Sequence, residues 1–169
     1  LEEEWNLLSY VPERWKGNVR ADQQALGTGL WADRAWRITT GRPDVVIAVL
    51  DSGIEWDSEG LRKKHWLHIA ELPLPQGATV YDADGDGVVT VDDWASDPRV
   101  GPTDGVDAAD AHLDPSDLIA VFSDGVDDDG NGFVDDISGW DFLWDDNDPY
   151  DDTRYGHGTG EARDSAQEG

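Results

Sequence analysis

Apolar and polar positions change rhythm several times along these 169 residues. Leu30, Trp31, Ala35 and Ile38 recur at helical spacing between Gly29 and Gly41, which predicts a short amphipathic helix over 30–40. Val45, Val46, Ile47, Ala48, Val49 and Leu50 then run without a polar break up to Asp51. A continuous β-branched-rich run between Pro43 and Asp51-Ser52-Gly53 predicts a strand buried on both faces, and hence a parallel sheet covered by helices. Asp51 would stand at the carboxyl end of a central strand, where open α/β sheets place their ligands. From Pro73 to about Ala120 turn residues break the pattern, leaving two short helix-like pieces, Val91 to Trp94 and Asp117 to Phe122. This stretch reads as an insertion. Beyond it, Phe133-Val134-Asp135-Asp136-Ile137 and Gly139-Trp140-Asp141-Phe142 look extended, and Gly156-His157-Gly158-Thr159 opens a helix. The expected organisation is an α/β chain in three segments, 1–72, 73–122 and 123–169.

Charge sharpens that division. The formal net charge is −26, yet 23 of the acidic residues fall between Asp82 and Asp152, every one of them Asp, against the single Arg99. Asp with Gly and Asn favours turns and short-armed chelation, so calcium accounts for this composition better than a solvated acidic face does. Phosphate binding needs clustered Lys and Arg, which argues against nucleic acid as a partner. The six-residue run 45–50 is about a third of a bilayer span, so no membrane partner is expected. Without Cys, stapling must come from packing or from oxygen-ligated cations. The chain contains no Met and opens on Leu1-Glu2-Glu3-Glu4, and it is read as an excerpt or a processed product.

Asp-Ser-Gly alone is an ordinary turn sequence. Here it ends a predicted buried strand, and 106 residues later His157-Gly158-Thr159 opens a predicted helix. A hydroxyl is a poor nucleophile at neutral pH, so hydrolytic sites couple it to an imidazole base that a carboxylate orients. In this order and context the two motifs resemble the aspartate and histidine motifs of the subtilisin-like serine proteases, the subtilases. Trp36 through Asp44, Trp66 to Pro73, Asn131 through Ile137 and Gly139 to Phe142 resemble further stretches of that family. The resemblance implies a partial subtilisin-like three-layer fold with a parallel central sheet. It implies Asp51 as orienter, His157 as general base, a peptide or protein substrate and a secreted protein. It also implies a calcium site ahead of the histidine, drawn from Asp141, Asp145, Asp148 and Asp152. The chain departs from the family in reading Gly160-Glu161-Ala162 after the histidine motif, and it holds neither a Gly-Thr-Ser motif nor the oxyanion Asn. The serine is therefore expected downstream of Gly169, in a remainder of the catalytic domain that this segment would need as its partner.

Two further loops carry metal chemistry. From Asp82 to Asp93 the chain matches an EF-hand-type loop: Asp82, Asp84 and Asp86 supply carboxylates, Gly87 the turn, Val88 a carbonyl and Asp93 the closing acid. The shorter Asp93 in place of Glu suggests a dockerin-like variant. Its pseudo-symmetric partner, Val106 to Asp117, has Ala108 and Ala109 where early ligands belong and is expected to be empty. Asp127, Asp129 and Asn131 repeat the ligand string, but Ser138 stands twelve positions along, so calcium and a plain Asx turn are equally open. His65, His68 and His112 are read as surface or loop residues, and Trp5, Trp15, Trp31, Trp36 and Trp66 as core. Three classes of function remain open: the front of a calcium-dependent endopeptidase, a pseudoprotease that binds, and a calcium-binding structural insert.

Overall fold

A computed structural model describes residues 29–58, 60–102, 105 and 112–166. The expectations for Trp5, Trp15, Ala108 and Ala109 lie outside the described residues. The chain divides into two compact units, Leu1–Val45 with Gly169, and Val46–Glu168.

In the first unit the helix expected over 30–40 shrinks to one turn, α1 (Ala32–Ala35). Trp31 precedes it with φ 63° and no side-chain cap, and Ile38 and Thr39 close a further turn onto the Ala35 carbonyl at 2.8 and 3.0 Å. Helices this short depend on packing, and Leu30 and Ile38 are exposed. The 45–50 run likewise departs from expectation. No strand occurs among the described residues, and Val45, Val46, Ile47 and Leu50 are exposed. A two-sided buried strand needs flanking strands for its backbone and covering helices for its faces, and the described residues provide neither. The described residues therefore contain no parallel sheet.

The core of the second unit lies in the acidic stretch and joins it to its flanks. Leu67, Leu72, Val91, Trp94, Leu118 and Ile137 pack together, with Tyr81, Val89 and Phe122 at the margin. Two capped turns present these side chains. The 3₁₀ turn Val91–Trp94 begins at Thr90, whose backbone N–H donates to Asp93 Oδ2 at 2.8 Å while its hydroxyl accepts from Asp92 N at 3.2 Å. Helix α2 (Pro115–Phe122) repeats the arrangement with Asp114 as cap, Pro115 at the first position and Asp117 receiving Asp114 N at 3.0 Å. Such caps hold one turn of helix where propensity alone would not, and they turn Val91, Trp94 and Leu118 inward.

The tryptophan assignment is corrected: Trp31, Trp36 and Trp66 are exposed, whereas Trp94 and Trp56 are buried to within 1 %. Trp94 sits on a capped turn facing the core, and Trp56 packs beside His65 and Tyr150 at ring separations of 5.1 and 6.5 Å. A last helix, α3 (His157–Ala166), buries Gly158, Thr159 and Ala162 and projects Glu161 into solvent. The charge after the histidine motif is thereby accommodated without entering the core.

Candidate functional site

Asp51 and His157 meet at the start of α3. Nδ1 of His157 lies 2.7 and 2.8 Å from the two Asp51 carboxylate oxygens, so Nδ1–H donates to Asp51 and Nε2 is left free to accept. The Asp51 carboxylate also receives Ser52 N at 2.8 Å, and the Ser52 hydroxyl accepts Gly158 N at 3.0 Å. The imidazole beside Asp51 holds its carboxyl below the usual carboxylate range, and Asp51 in turn raises His157. Glu161 Oε1, 3.7 Å from Nε2, adds to that rise. The imidazole is about half exposed, open to an incoming group, and Tyr155 stacks beside it at 6.2 Å.

Glycines fix this approach. A Cβ at Gly158 would lie 2.2 Å from the Gly53 carbonyl oxygen and 3.1 Å from Asp51 Cβ. Gly53 has φ +111°, and a Cβ there would come within 2.7 Å of the backbone of Pro149, Tyr150 and Asp151. The 51–53 segment thus converges with the 149–151 segment and the start of α3, with no room for side chains.

Asp151, which the sequence pattern passes over in favour of its neighbour Asp152, anchors the junction. It is buried, and its Oδ2 accepts from Thr159 N and Thr159 Oγ1 at 3.2 and 2.9 Å while Oδ1 takes the Thr153 hydroxyl at 2.7 Å. Burial pushes its carboxyl up, but the Thr153 and Thr159 donors outweigh that and hold it below its ordinary value. Thr159 Oγ1 accepts Glu55 N at 3.0 Å, tying α3 to the segment after Asp51. The available signal was the Asp-x-Thr turn just ahead of a helix start.

Two all-carboxylate groups come together among the described residues, and a third joins Glu71 and Asp136 to His68. Asp82, Asp84 and Asp93 each offer an oxygen within 4.8 Å of the others. Asp82 gathers the Gly85 and Gly87 amides at 2.8 and 3.1 Å, and Asp86 receives Val88 N at 2.8 Å. Asp93 Oδ1 receives Ala83 N and Asp84 N at 2.6 and 3.2 Å. Gly87 supplies the turn with φ 92°. This all-oxygen donor set fits a hard cation. Asp127 and Asp129 come together instead with Glu71, a residue the sequence pattern does not connect to them. Backbone amides led by Gly132 hold Asp127 below its usual value, whereas burial pushes Glu71 up.

Asp141, Asp145, Asp148 and Asp152 form no such group among the described residues. Asp141 accepts Leu143 N and Trp144 N at 2.6 and 3.0 Å, which shapes a turn, and Asp152 is exposed. Burial pushes Asp148 up. Two histidines differ from the bystander reading. His68 bridges Asp136 and Asp129 at 2.9 and 3.1 Å, and burial lowers His65 to about 4.

No family model matches the chain, and neither a curated protein nor a solved structure is significantly similar to it. Among the described residues no helix is long and apolar enough to cross a membrane.

Proposed function

We propose that the chain is the N-terminal part of the catalytic domain of a secreted, calcium-dependent, subtilisin-like serine endopeptidase. One observation carries this reading: residues 106 apart in sequence form a two-oxygen carboxylate–imidazole pair whose backbone approach tolerates only glycine at positions 53 and 158. In this reading Asp51 fixes the tautomer with Nδ1 protonated. Nε2 takes the proton of a serine hydroxyl as that oxygen attacks the peptide carbonyl, and Asp51 stabilises the imidazolium that forms. The same Nε2–H then protonates the leaving amine. The raised affinity of His157 for a proton suits the base step.

Calcium belongs to the reading because so many like charges in one segment repel unless a cation compensates them. Asp82, Asp84, Asp86, Asp93 and the Val88 carbonyl would hold one ion. The exposed 45–50 run supports a sheet whose neighbouring strands come from outside the described residues. Those partners would belong to the same catalytic domain as the serine.

The coding sequence read past Gly169 tests this directly. An in-frame Gly-Thr-Ser motif, preceded by an Asn positioned for the oxyanion, is expected. An in-frame stop immediately after Gly169 would contradict the reading and favour a binding module.

A further inference from the structure

We propose that Glu71 closes a second calcium site on the loop 127–133, delivering from upstream the carboxylate that the 82–93 loop takes from its own twelfth position. The proposal extends the calcium reading of that first loop to a site whose closing ligand is remote in sequence.

The decisive observation is a single atom. Glu71 is only 3 % exposed, its carboxylate faces the 127–129 backbone, and its Oε2 is buried with no hydrogen-bond partner. A buried carboxylate oxygen without a donor carries an uncompensated desolvation penalty that a positive group would relieve. One oxygen from each of Glu71, Asp127 and Asp129 lies within 4.8 Å of the other two. Calcium–oxygen distances of 2.3–2.6 Å give a coordination shell roughly 5 Å across, so one ion can touch all three.

The two loops correspond, residue by residue, at an offset of 45. Asp127 gathers Gly130 N and Gly132 N at 2.7 and 2.8 Å, as Asp82 gathers Gly85 and Gly87. Asp129 receives Asn131 N at 2.8 Å, and Asn131 receives Phe133 N at 2.7 Å, matching Asp84 and Asp86. Glu71 Oε1 receives Asp128 N and Asp129 N at 3.1 and 3.3 Å, the counterparts of the two amides on Asp93 Oδ1. At the closing carboxylate the two loops differ: Asp93 Oδ2 is satisfied by Thr90 N, whereas Glu71 Oε2 has no partner. Ser138, at the loop's own twelfth position, is turned away and donates to the Trp66 carbonyl at 3.1 Å. His68 reaches Asp129 and Asp136 through its two ring nitrogens and braces the loop, and it also lies within 4.8 Å of Glu71 and Asp136 as a nitrogen neighbour of the site.

Equilibrium dialysis of the 169-residue chain against radioactive calcium, in wild type and in Glu71→Gln, Asp127→Asn and Asp93→Asn, tests the assignment. Glu71→Gln retains an acceptor for the Asp128 and Asp129 amides, so it removes charge with little change of shape. Glu71→Gln and Asp127→Asn should each weaken the same ion by more than the roughly 10- to 100-fold that loss of an outer-shell partner costs. The double variant should then lose one ion, not two, and Asp93→Asn should lose a different one. Asp127→Asn reaches the ion from the loop side should Glu71→Gln disturb folding, which near-ultraviolet circular dichroism of the tryptophans would report. Wild-type stoichiometry and affinity in Glu71→Gln overturn this proposal alone if Asp93→Asn still loses its ion. A wild-type chain that binds no calcium overturns both sites.

Discussion

Substituting Gly158 by Ala separates helix propensity from the close approach at the start of α3. In an exposed helix Ala is favoured over Gly by about 1 kcal/mol, and both Gly158 and Gly160 lie within His157–Ala166. At Gly160 a Cβ would meet nothing within 4 Å. Gly160→Ala should therefore stabilise the protein by about 0.5–1 kcal/mol. At Gly158 the new Cβ would sit 2.2 Å from the Gly53 carbonyl oxygen and 3.0 Å from Gly53 N. Carbon–oxygen contacts rarely fall below about 3.3 Å, so α3 must retreat by about 1 Å. Both obstructing atoms are backbone, with φ +111° at Gly53 leaving little freedom to yield. An overpacking cost near the upper end of 1–3 kcal/mol, less the propensity gain, leaves a net loss of about 2 kcal/mol. Urea unfolding in saturating calcium, followed by tryptophan fluorescence, would show a midpoint lowered by about 1 M for Gly158→Ala and raised for Gly160→Ala. The same retreat should lengthen the Nδ1 contacts and return His157 toward its ordinary titration. Equal stabilisation by the two alanines would refute the packing argument.

Three further outcomes follow from the charges. Calcium at about a hundred times its dissociation constant should add about 2.7 kcal/mol to unfolding. That gain, read as a rise in Tm reversed by chelator, should shrink in Asp93→Asn, and a Tm indifferent to both would contradict the cation sites. The Arg99 guanidinium beside Asp97 holds that carboxyl at about 2 against an ordinary 3.8, and Gln76 N adds a bond at 2.8 Å. A depressed acid stabilises above the unfolded value, so Asp97→Asn should cost about 2 kcal/mol at pH 7, the difference fading as pH falls from about 4 to 2 in urea titrations. His157 has the opposite sign: raised by Asp51 from 6.5, the pair stabilises fully below 6.5 as long as Asp51 stays ionised, and is lost as pH climbs through the folded value. Asp51→Asn should lower the His157 titration midpoint followed by proton NMR, and destabilise more at pH 5 than at pH 9. An unmoved midpoint would show that Asp51 does not act on the imidazole.

What the sequence displays depends on how far apart the cooperating residues lie. The 82–93 loop is contiguous, so its string of carboxylates and Gly87 are visible in one window. Asp51 and His157 are legible because each carries its own short motif, although the glycine clearance that brings them together is not. Asp151, marked only by its Asp-x-Thr turn, and Glu71, marked by nothing local, are hidden for a different reason: their partners, Thr159 and the 128–129 amides, are chosen by tertiary packing. Glu71 lies 56 residues before Asp127, and no local spacing marks it. The 45–50 run is apolar enough to predict a buried strand, but burial is a property of the neighbours as well as of the run. Trp94 and Trp56 form the core in place of Trp31, Trp36 and Trp66 because capped turns and ring contacts, not composition, decide which indole faces inward.

The account turns on whether His157 activates a serine. In the protein translated through the coding sequence beyond Gly169, covalent labelling by a fluorophosphonate probe, located by mass spectrometry, measures that directly. The expected result is a single labelled serine within a downstream Gly-Thr-Ser motif, with labelling abolished in His157→Ala and strongly slowed in Asp51→Asn. A protein that resists the probe, or one labelled equally well without His157, would contradict the proposed protease site.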